Sequence, residues 1–469
     1  MKPSKETRRV EGRDQPRENP RGDAGGRTQS RRTLSPNLAR VNAAAHRADQ
    51  VQFTALLHHI DRAALERAFR RQKRQASAGV DGITVEMYEQ ALEANLQELH
   101  VRIHTGRYRP QPVRRVYIPK ADGGQRPLGV PVLEDKIVQS AVAELLSIIY
   151  EVDFLGFSYG FRPGRSPHMA LDALHTALMS QRVYWVLDAD IRSYFDTVDH
   201  DWLMRMLAHR IADPRILRLV RIWLEAGILE SGEWRETDRG TPQGAGISPL
   251  LANIFLHYVL DLWVQQWRRR HAHGRVVIVR YADDFVMGFE KADDARRMMA
   301  ALRERLAKFG LAIHEGKTRL IEFGRLPALI RQQRGLRRPE TFAFLGFTHY
   351  CGWTRDGRFI VKLKTQSKRL TRKLKALRQE AWRLMHASLT VQHRWYTSVL
   401  LGHYGYYGRP QNFPALAAFR QEMLRIWLTC LRRRSQKTRR MSWQTFAALL
   451  MRFPLPTPRI THPWTVHAA

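Results

Sequence analysis

The sequence is poor in cysteine and in acidic residues, and it contains no long apolar run. Only Cys351 and Cys430 occur among its 469 residues, which excludes a disulfide framework and a cysteine-rich zinc site and favours a reducing compartment. No stretch approaches the roughly 20 consecutive apolar residues of a membrane-spanning helix. The N-terminal sequence also lacks the apolar core of a signal peptide. These features predict a cytoplasmic protein with no membrane partner.

The shortage of acids leaves a large positive charge. The chain has 78 Lys and Arg but only 44 Asp and Glu, so its formal net charge is +34. Such an excess repels itself unless it meets a polyanion, and nucleic acid is the candidate once a membrane is set aside. Hydrophobic residues make up 44% of the sequence, enough to bury a core in each of the roughly three domains that this length allows.

Composition and periodicity divide the chain into four predicted parts. Residues 1–50 hold 12 Lys and Arg, 6 acids and no aromatic residue, a composition typical of a disordered basic tail. Residues 51–361 mix helical and strand-like stretches without strict alternation, which predicts an α+β domain with an antiparallel sheet. Residues 362–446 are predicted to be helical, and 447–469 form a short C-terminal tail.

Local patterns predict individual elements within this frame. Residues 51–74 have apolar side chains at helical spacing, and further helical runs are expected after them. Strand signals surround the loop at 121–125. The predicted helices lie near 135–150, 167–180, 199–226 and 248–270, and the predicted strands include Tyr184–Asp188 and two strands within Val276–Phe289.

Positive charge is concentrated in the helical region. Residues 362–440 contain 19 Lys and Arg but only two acids, a net charge of +17, which is half of the excess of the whole chain. Aromatic residues are interleaved with these cations, as a surface for phosphates and stacked bases requires. The alternative is that the aromatics form the helix core. The candidate RNA-binding residues are Lys364, Lys368, Arg369, Arg372, Lys373 and Lys375.

Acidic side chains occur at the ends of predicted strands. Asp283 and Asp284 lie at the tip of the second predicted hairpin, and Asp188 and Asp190 end an earlier apolar strand. An Asp pair in a turn is ordinary surface chemistry when it stands alone. If the strands are neighbours in one sheet, however, the carboxylates converge and need a cation between them. Oxygen ligands suit Mg²⁺, and two such ions about 4 Å apart support nucleotidyl transfer.

The series of motifs resembles that of group II intron-encoded reverse transcriptases and maturases. YADDF at 281–285 is similar to the catalytic hairpin of reverse transcriptases. The blocks SAGVDG, KADGGQRPLGVP, FSYGFRPGRS, DADIRSYFDTVDH, RGTPQGAGISPLLANIFLHYVLD, GLAIHEGKT and FAFLGF occur around it in family order. The resemblance implies a right-hand polymerase fold, with fingers and palm built from an antiparallel sheet and helices. An all-helical thumb, or maturase domain, would follow at 362–446.

The resemblance also implies roles for single residues. Asp190, Asp283 and Asp284 would be the catalytic acids and would ligate two Mg²⁺ ions, with Ile191 included in the metal site. Asp188 competes as the first acid, but in the family the ligand directly precedes the Ile-basic-small-aromatic-Phe run, which selects Asp190. The implied nucleotide-binding residues are Lys120 and Arg126 at the triphosphate, Phe195 against the 2′-hydroxyl, Gln243 in the pocket, and Lys317.

The implied function is an RNA-directed DNA polymerase that also binds its parent intron as a splicing cofactor and copies it during intron mobility. Its partners would be group II intron RNA, an RNA template with a DNA primer, dNTPs and target DNA, in a bacterial cytoplasm. One alternative is a domesticated relative in defence, diversity generation or CRISPR adaptation. Another is a catalytically inactive RNA-binding splicing factor, although the intact acids argue against decay.

Metal sites other than the acidic one are not expected. Many family members continue into an endonuclease with paired cysteines and a histidine-rich site, which two cysteines cannot build, so the resemblance is to the short class. His58-His59 and His271-Ala272-His273 have no cysteine or acid partner at ligand spacing. No zinc site is therefore predicted.

Overall fold

The computed structural model describes residues 36–47, 51–119, 124–230, 233–235, 239–240 and 246–464. Among these residues, no helix is both long enough and apolar enough to cross a membrane. The described strands form three sheets, whose orders are β2-β1-β4-β5, β6-β7-β3-β8 and β11-β10-β9. The strands are β1 (Val113–Pro119), β2 (Gln125–Val130), β3 (Trp185–Ala189), β4 (Ile228–Glu230), β5 (Glu233–Arg235), β6 (Val276–Tyr281), β7 (Asp284–Phe289), β8 (Arg319–Glu322), β9 (Phe342–Phe344), β10 (Phe347–Trp353) and β11 (Phe359–Thr365).

Helices surround these sheets and make up the C-terminal part of the fold. The helices up to the last strand are α1 (Pro36–Arg47), α2 (Arg62–Arg70), α3 (Val85–Glu89), α4 (Leu92–His104), α5 (Leu133–Asp153), α6 (Pro167–Ser180), α7 (Tyr194–Thr197), α8 (His200–Ala208), α9 (Pro214–Leu224), α10 (Ser248–Leu256), α11 (Leu262–Arg270), α12 (Ala292–Ala307) and α13 (Arg325–Gln333). The C-terminal bundle consists of α14 (Ser367–Arg383), α15 (Leu389–Tyr407), α16 (Phe413–Arg434) and α17 (Trp443–Arg452). This mixture confirms the predicted α+β class.

The sheet β6-β7-β3-β8, here called the central sheet, is antiparallel throughout, as predicted. Alternate side chains of its strands enter two different cores. Val186 and Val286 pack on the side of α6, while Leu187 and Met287 pack on the side of α10 and α12. Burial on both faces explains why β3, β6 and β7 are mostly apolar. Charged residues are accommodated only at the ends of these strands or where they have buried partners.

Helix α1 corrects part of the predicted disordered tail. Leu38, Val41 and Ala45 lie on one face of this helix and are buried, and α1 packs against α5. The Asn42 side chain also donates a hydrogen bond to the carbonyl oxygen of Ile148, at 3.1 Å. Small apolar residues at helical spacing are therefore enough to order this segment although it has no aromatic residue. Residues 1–35 lie outside the described part of the chain.

One long predicted helix is divided in the structure, and a second is continuous as predicted but contains a π-helical turn. The run near 199–226 forms α8 and α9 because Asp213 ends the connection between them and caps α9, accepting a hydrogen bond from the backbone N–H of Arg215 at 2.9 Å. Proline follows as the first residue of α9, a position where its missing N–H costs nothing. The run near 248–270 forms α10 and α11, joined by the π-helical turn His257–Asp261. The predicted helical segment 51–74 contains only a short 3-10 turn and α2.

The C-terminal bundle has its own aromatic core. Tyr396, Tyr404 and Trp427 are buried, and the indole N–H of Trp427 donates to the Gln392 side chain at 2.9 Å. Trp382, Phe413 and Trp443 are exceptions because they are exposed. Most of these aromatics therefore stabilise the fold of the bundle, which is the alternative interpretation of the aromatic and basic sequence.

The chain returns from the bundle towards the central sheet after α17. The backbone N–H groups of Thr461 and His462 both donate to the carbonyl oxygen of Gly408, at 2.9 Å. Trp464 then stacks on His175 of α6, with ring centroids 3.8 Å apart. The Arg409 guanidinium covers the Trp464 indole, with its Cζ 4.0 Å from the ring centroid. We call residues 461–464 the returning segment.

Candidate active site

Strand register brings the predicted catalytic acids together. In the pairing of β3 with β7, Ala189 lies opposite Phe285, and in the β6–β7 hairpin Tyr281 lies opposite Asp284. Asp190 directly follows Ala189 and Asp284 directly precedes Phe285, so the two acids meet at the same end of the central sheet. Asp283 lies in the two-residue turn beside them. The expectation that the two acid-bearing strands are neighbours is therefore confirmed.

The electrostatics of this end of the sheet favour a bound cation. Desolvation, together with the negative charges of Asp283 and Asp190, raises the pKa of Asp284 to about 6, although the nearby Arg369 opposes the shift. Carboxylates that disfavour each other's ionisation in this way are stabilised when a cation lies between them. All three side chains offer oxygen ligands, and Asp284 remains exposed to solvent. The donor set therefore fits a hard divalent ion.

Asp188 lies on the same face of β3 as Asp190. Burial raises its pKa to about 6, and the charge of Arg319 acts against this rise. Arg319 is on the neighbouring strand β8, and its guanidinium lies 3.5 Å from the Asp188 carboxylate. Asp188 thus belongs to the same group of acids, and the choice of Asp190 over Asp188 as the metal ligand stays a prediction.

The segment after β3 is fixed by a short bridge to residues 312–314. The N–H of His314 donates to the carbonyl oxygen of Asp190 at 2.8 Å, and the N–H of Arg192 donates to that of Ala312 at 2.9 Å. These two bonds flank Ile191, whose own carbonyl oxygen takes no part in them. The role of the Ile191 carbonyl oxygen as a metal ligand stays a prediction.

Phe195 follows Asp190 in the sequence, Lys317 follows Asp284, and both residues are described. Lys317 Nζ is 3.1 Å from Oδ2 of Asp190. Phe195 is in the short helix α7, is half-buried, and packs edge-on against Tyr194. Its carbonyl oxygen would lie 2.9 Å from a Cβ at Gly240, so α7 closely approaches the start of the segment that contains Gln243. Lys120, Gln243 and the side chain of Arg126 lie outside the described residues.

Most of the predicted RNA-binding cations are exposed on α14. Lys368, Arg372 and Lys375 recur at intervals of four and three, so they share the face opposite Leu370 and Leu374, which pack against the bundle core. We call these three residues the basic stripe. Lys364 is also exposed, at the end of β11, and its ammonium lies 5.6 Å from the centroid of the Tyr350 ring.

Lys373 differs from the basic stripe. Its Nζ lies 3.2 Å from Nδ1 of His403 and 5.3 Å from the centroid of the Phe419 ring. Desolvation at this half-buried position lowers the pKa of Lys373. The side chain is therefore directed into the bundle, so the structure gives its predicted contact with RNA no support.

Arg369 connects α14 with the acids, which the sequence did not indicate. Its charge acts on Asp284, and its guanidinium would lie 3.2 Å from a Cβ at Gly346. Leu345 and Gly346 both have positive φ angles, 48° and 83°, and form the two-residue turn between β9 and β10. Tyr406 donates to the carbonyl oxygen of Leu345 at 2.9 Å. The FAFLGF block therefore builds a turn that lies between the bundle and the acids.

A second acidic group occurs at the opposite end of β6. His273, Asp293 and Asp294 have potential ligand atoms within 4.8 Å of one another, so acids do approach this histidine in space although not in sequence. Asp294, however, accepts hydrogen bonds from the backbone N–H groups of His273 and Gly274 and pairs with Arg297. The Asp294 carboxylate, in the first turn of α12, is thus engaged within the protein.

Comparison with known proteins agrees with this geometry. Residues 118–349 match the family described as reverse transcriptase (RNA-dependent DNA polymerase). Protein YkfC of Escherichia coli strain K12 is 39% identical across 45% of this chain and 62% of YkfC. The group II intron-encoded protein LtrA of Lactococcus lactis is 39% identical across 41% of this chain and 32% of LtrA. The mitochondrial nuclear intron maturase 3 of Arabidopsis thaliana is 30% identical across 30% of this chain and 19% of that protein.

The matched region includes the central sheet and its acids, so the chain belongs to the reverse transcriptase family. Its relatives place it within the group II intron-encoded reverse transcriptases and maturases. The chain spans less than two thirds of the length of each of these relatives. Membership in this family implies dependence on a divalent metal ion.

Proposed function

We propose that the chain is an RNA-directed DNA polymerase that uses Mg²⁺ to extend a DNA primer on an RNA template from dNTPs. One observation carries the proposal: the antiparallel pairing of β3 with β7 brings Asp190, Asp283 and Asp284 to one end of the central sheet. When bound there, divalent ions would activate the primer hydroxyl and stabilise the departing pyrophosphate.

The chain's own residues would bind and orient the substrates. The carboxylates of Asp190, Asp283 and Asp284, with the Ile191 carbonyl oxygen, would hold the ions. Lys317 lies close enough to Asp190 to contact a triphosphate bound beside it, as a mobile point charge suited to phosphate. Phe195 would lie under the sugar and exclude a 2′-hydroxyl. Lys120, Arg126 and Gln243 would line the nucleotide pocket, as the family resemblance implies.

Primer extension tests this proposal directly. Wild-type protein should extend a DNA primer on a long RNA template with Mg²⁺, and Asp283→Asn should abolish extension because a metal ligand loses its charge. Asp201→Asn is the matched control: its carboxylate is 75% exposed on α8, so extension should continue. Extension by purified Asp283→Asn, or no extension by the wild type with either Mg²⁺ or Mn²⁺, would overturn the proposal.

We also propose that group II intron RNA is a partner, bound as a splicing cofactor and copied into cDNA at a target DNA during intron mobility, in a bacterial cytoplasm. The exposed basic stripe and the net positive charge of residues 362–440 support RNA binding. The names of the LtrA and maturase relatives support the intron as the RNA.

The test is whether Asp283→Asn protein, which cannot polymerise, still accelerates splicing of the cognate intron at low Mg²⁺. Loss of splicing assistance in a folded Asp283→Asn protein would contradict a separate binding role.

A further inference from the structure

The turn that contains Asp283 is attached to a buried arginine. Arg280 is the residue before Tyr281 in β6, and its side chain is completely buried. Its Nη1 donates to the carbonyl oxygen of Ala282 at 2.9 Å and to Oδ1 of Asn253 at 3.0 Å. An arginine in an otherwise apolar strand thus contacts the backbone of the residue directly before Asp283.

Asp261 neutralises this arginine in a two-pronged ion pair. Arg280 Nε donates to Oδ1 of Asp261 at 2.7 Å, and Nη2 donates to Oδ2 at 2.5 Å. Asp261 is itself completely buried and is the last residue of the π-helical turn between α10 and α11. Such widened turns insert an extra residue into a helix and are frequent at functional sites. Here the turn supplies the carboxylate that Arg280 needs in a region without solvent.

Gly160 also contacts the turn that contains Ala282 and Asp283. Ala282 has a φ of 58°, a left-handed conformation that is unfavourable for alanine unless its surroundings enforce it. A Cβ at Gly160 would lie 2.2 Å from the backbone nitrogen of Ala282, so only glycine allows this approach. Asn253 donates to the carbonyl oxygen of Gly160 at 2.6 Å. Asn253 therefore connects Gly160 with Arg280. Gly160 approaches the backbone nitrogen of Ala282, and Arg280 binds its carbonyl oxygen.

We propose that Arg280 and Asp261 are positioning residues for the metal site: the buried ion pair holds the Ala282 carbonyl and thereby directs the Asp283 and Asp284 carboxylates towards Asp190. The inference rests on the proposed polymerase function, which supplies the metal. It adds a geometric requirement, because the three acids bind an ion well only if their oxygens are already arranged around it. Lysine cannot replace the arginine here, since one ammonium cannot make the parallel bonds to Asp261 and also reach Ala282.

The inference is tested by metal binding, measured without catalysis. Mn²⁺ is titrated into nucleic-acid-free protein and free Mn²⁺ is followed by electron paramagnetic resonance. The Mn²⁺ binding that Asp283→Asn abolishes, measured as the loss of free Mn²⁺ signal in the wild type, defines the site. Arg280→Lys and Asp261→Asn should weaken Mn²⁺ binding at this site by about 10-fold or more, the usual effect of losing residues that orient metal ligands. Primer extension should show the matching increase in the Mg²⁺ concentration needed for half-maximal rate.

Arg210→Lys is the matched control for the loss of a buried arginine. Arg210 is 2% exposed and pairs with Asp153 at 3.3 Å, and it also covers the Phe53 ring, with Cζ 5.9 Å from the centroid. A general loss of stability would lower the thermal midpoint of Arg210→Lys and Arg280→Lys alike. Only Arg280→Lys should also change the Mn²⁺ affinity. Equal Mn²⁺ affinity in wild type, Arg280→Lys and Asp261→Asn would overturn the inference.

Two further results distinguish failure of the inference from a folding defect and from failure of the proposed function. If neither ion-pair variant folds, Asn253→Ala replaces them: it removes the link between Arg280 and Gly160 but leaves the Arg280–Asp261 pair intact, and it should still weaken Mn²⁺ binding. Unchanged affinity in folded Asn253→Ala would then count against the inference. If the wild type binds Mn²⁺ at the Asp283-dependent site but never extends a primer, the proposed function fails while the positioning role stands.

Discussion

Lys317 Nζ lies 3.1 Å from Oδ2 of Asp190, so a cationic side chain accompanies one of the acids. The side chain of Lys317 is 59% exposed and approaches from the bridge between residues 190–192 and 312–314. A divalent ion bound to Asp190 would compete for the same carboxylate oxygen. Lys317 would then be free to turn towards the phosphates of an incoming nucleotide.

This relationship predicts the effect of Lys317→Ala. Loss of a phosphate contact should raise the KM for dNTP by about 10-fold, the change expected for about 1.4 kcal/mol of binding, with a smaller effect on kcat. Lys317→Arg should recover part of the KM, because it keeps the positive charge. The measurement is steady-state single-nucleotide incorporation. A KM within twofold of the wild type would show that Lys317 serves only Asp190.

Phe195→Ala should relax discrimination against ribonucleotides. Removing the half-buried ring opens space where the resemblance places the sugar, so incorporation of rNTP relative to dNTP should rise by about 10-fold or more. The ratio of kcat/KM for dCTP and rCTP measures it. Tyr194→Phe is the control, because it loses only the hydroxyl that donates to the carbonyl oxygen of Ala252 at 2.7 Å. Unchanged selectivity in Phe195→Ala would exclude Phe195 from the sugar contact.

Neutralising the basic stripe should weaken RNA binding in a salt-dependent manner. Replacing Lys368, Arg372 and Lys375 together by alanine removes three exposed cations, so the slope of log affinity against log salt should fall by about 2 to 3. A control variant replaces the exposed Arg334, Arg337 and Arg338 after α13 and changes the net charge equally. Filter binding of intron RNA at several salt concentrations separates the two. The same slope change in both variants would mean that RNA binding is not localised on α14.

His349 should make the fold sensitive to acid. This residue of β10 is completely buried, stacks on Phe342, and has no described hydrogen-bond partner at either ring nitrogen. Burial, with the nearby His175 and Arg409, lowers the pKa of His349 to about 3. In the unfolded chain, in contrast, the histidine has its ordinary pKa of about 6.5. Stability from this residue is therefore complete above pH 6.5 and is lost as the pH falls below it.

His349→Phe should remove this part of the pH dependence. Between pH 7.5 and 5.5, the free energy of unfolding should fall by about 1.4 kcal/mol less in the variant than in the wild type. Urea denaturation at the two pH values measures the difference. His386→Phe, at an exposed position, is the control variant. Parallel curves for wild type and His349→Phe would refute the prediction.

The sequence predicted those helices and strands whose ends are set by neighbouring residues. Helix α6 begins and ends as predicted because Ser166 caps it and Pro167 occupies its first turn. The pairing of the two acid-bearing strands was predicted from their apolar character and from the position of their acids. The division of the 199–226 helix was missed although Asp213 followed by Pro214 is a local signal for a helix start. The second role of Asp213 is distant, because its carboxylate also accepts hydrogen bonds from the backbone N–H groups of Leu56 and Leu57.

The support of the catalytic turn was also missed, although a signal was present. Arg280 stands in the apolar strand VVIVRY, and Asp261 stands in the apolar helical run LHYVLDLWV. A charge in a buried segment requires a partner, so each residue implied a buried ion pair. The sequence alone could not show that they are each other's partners, or that the pair also reaches Ala282. Arg369 was likewise attributed to RNA because its proximity to Asp284 depends on how the bundle packs.

The returning segment has a consequence for how the C-terminal bundle can move. The bundle is joined to the central region first at Gln366, whose N–H donates to the carbonyl oxygen of Gly346 at 3.0 Å. It is joined again where Trp464 stacks on His175 and where Arg409 pairs with Asp172. Tyr406 adds a further contact through its hydrogen bond to the carbonyl oxygen of Leu345. Because the bundle is attached at several separate places, rotation about any single contact is opposed, and the basic stripe keeps its orientation relative to the acids.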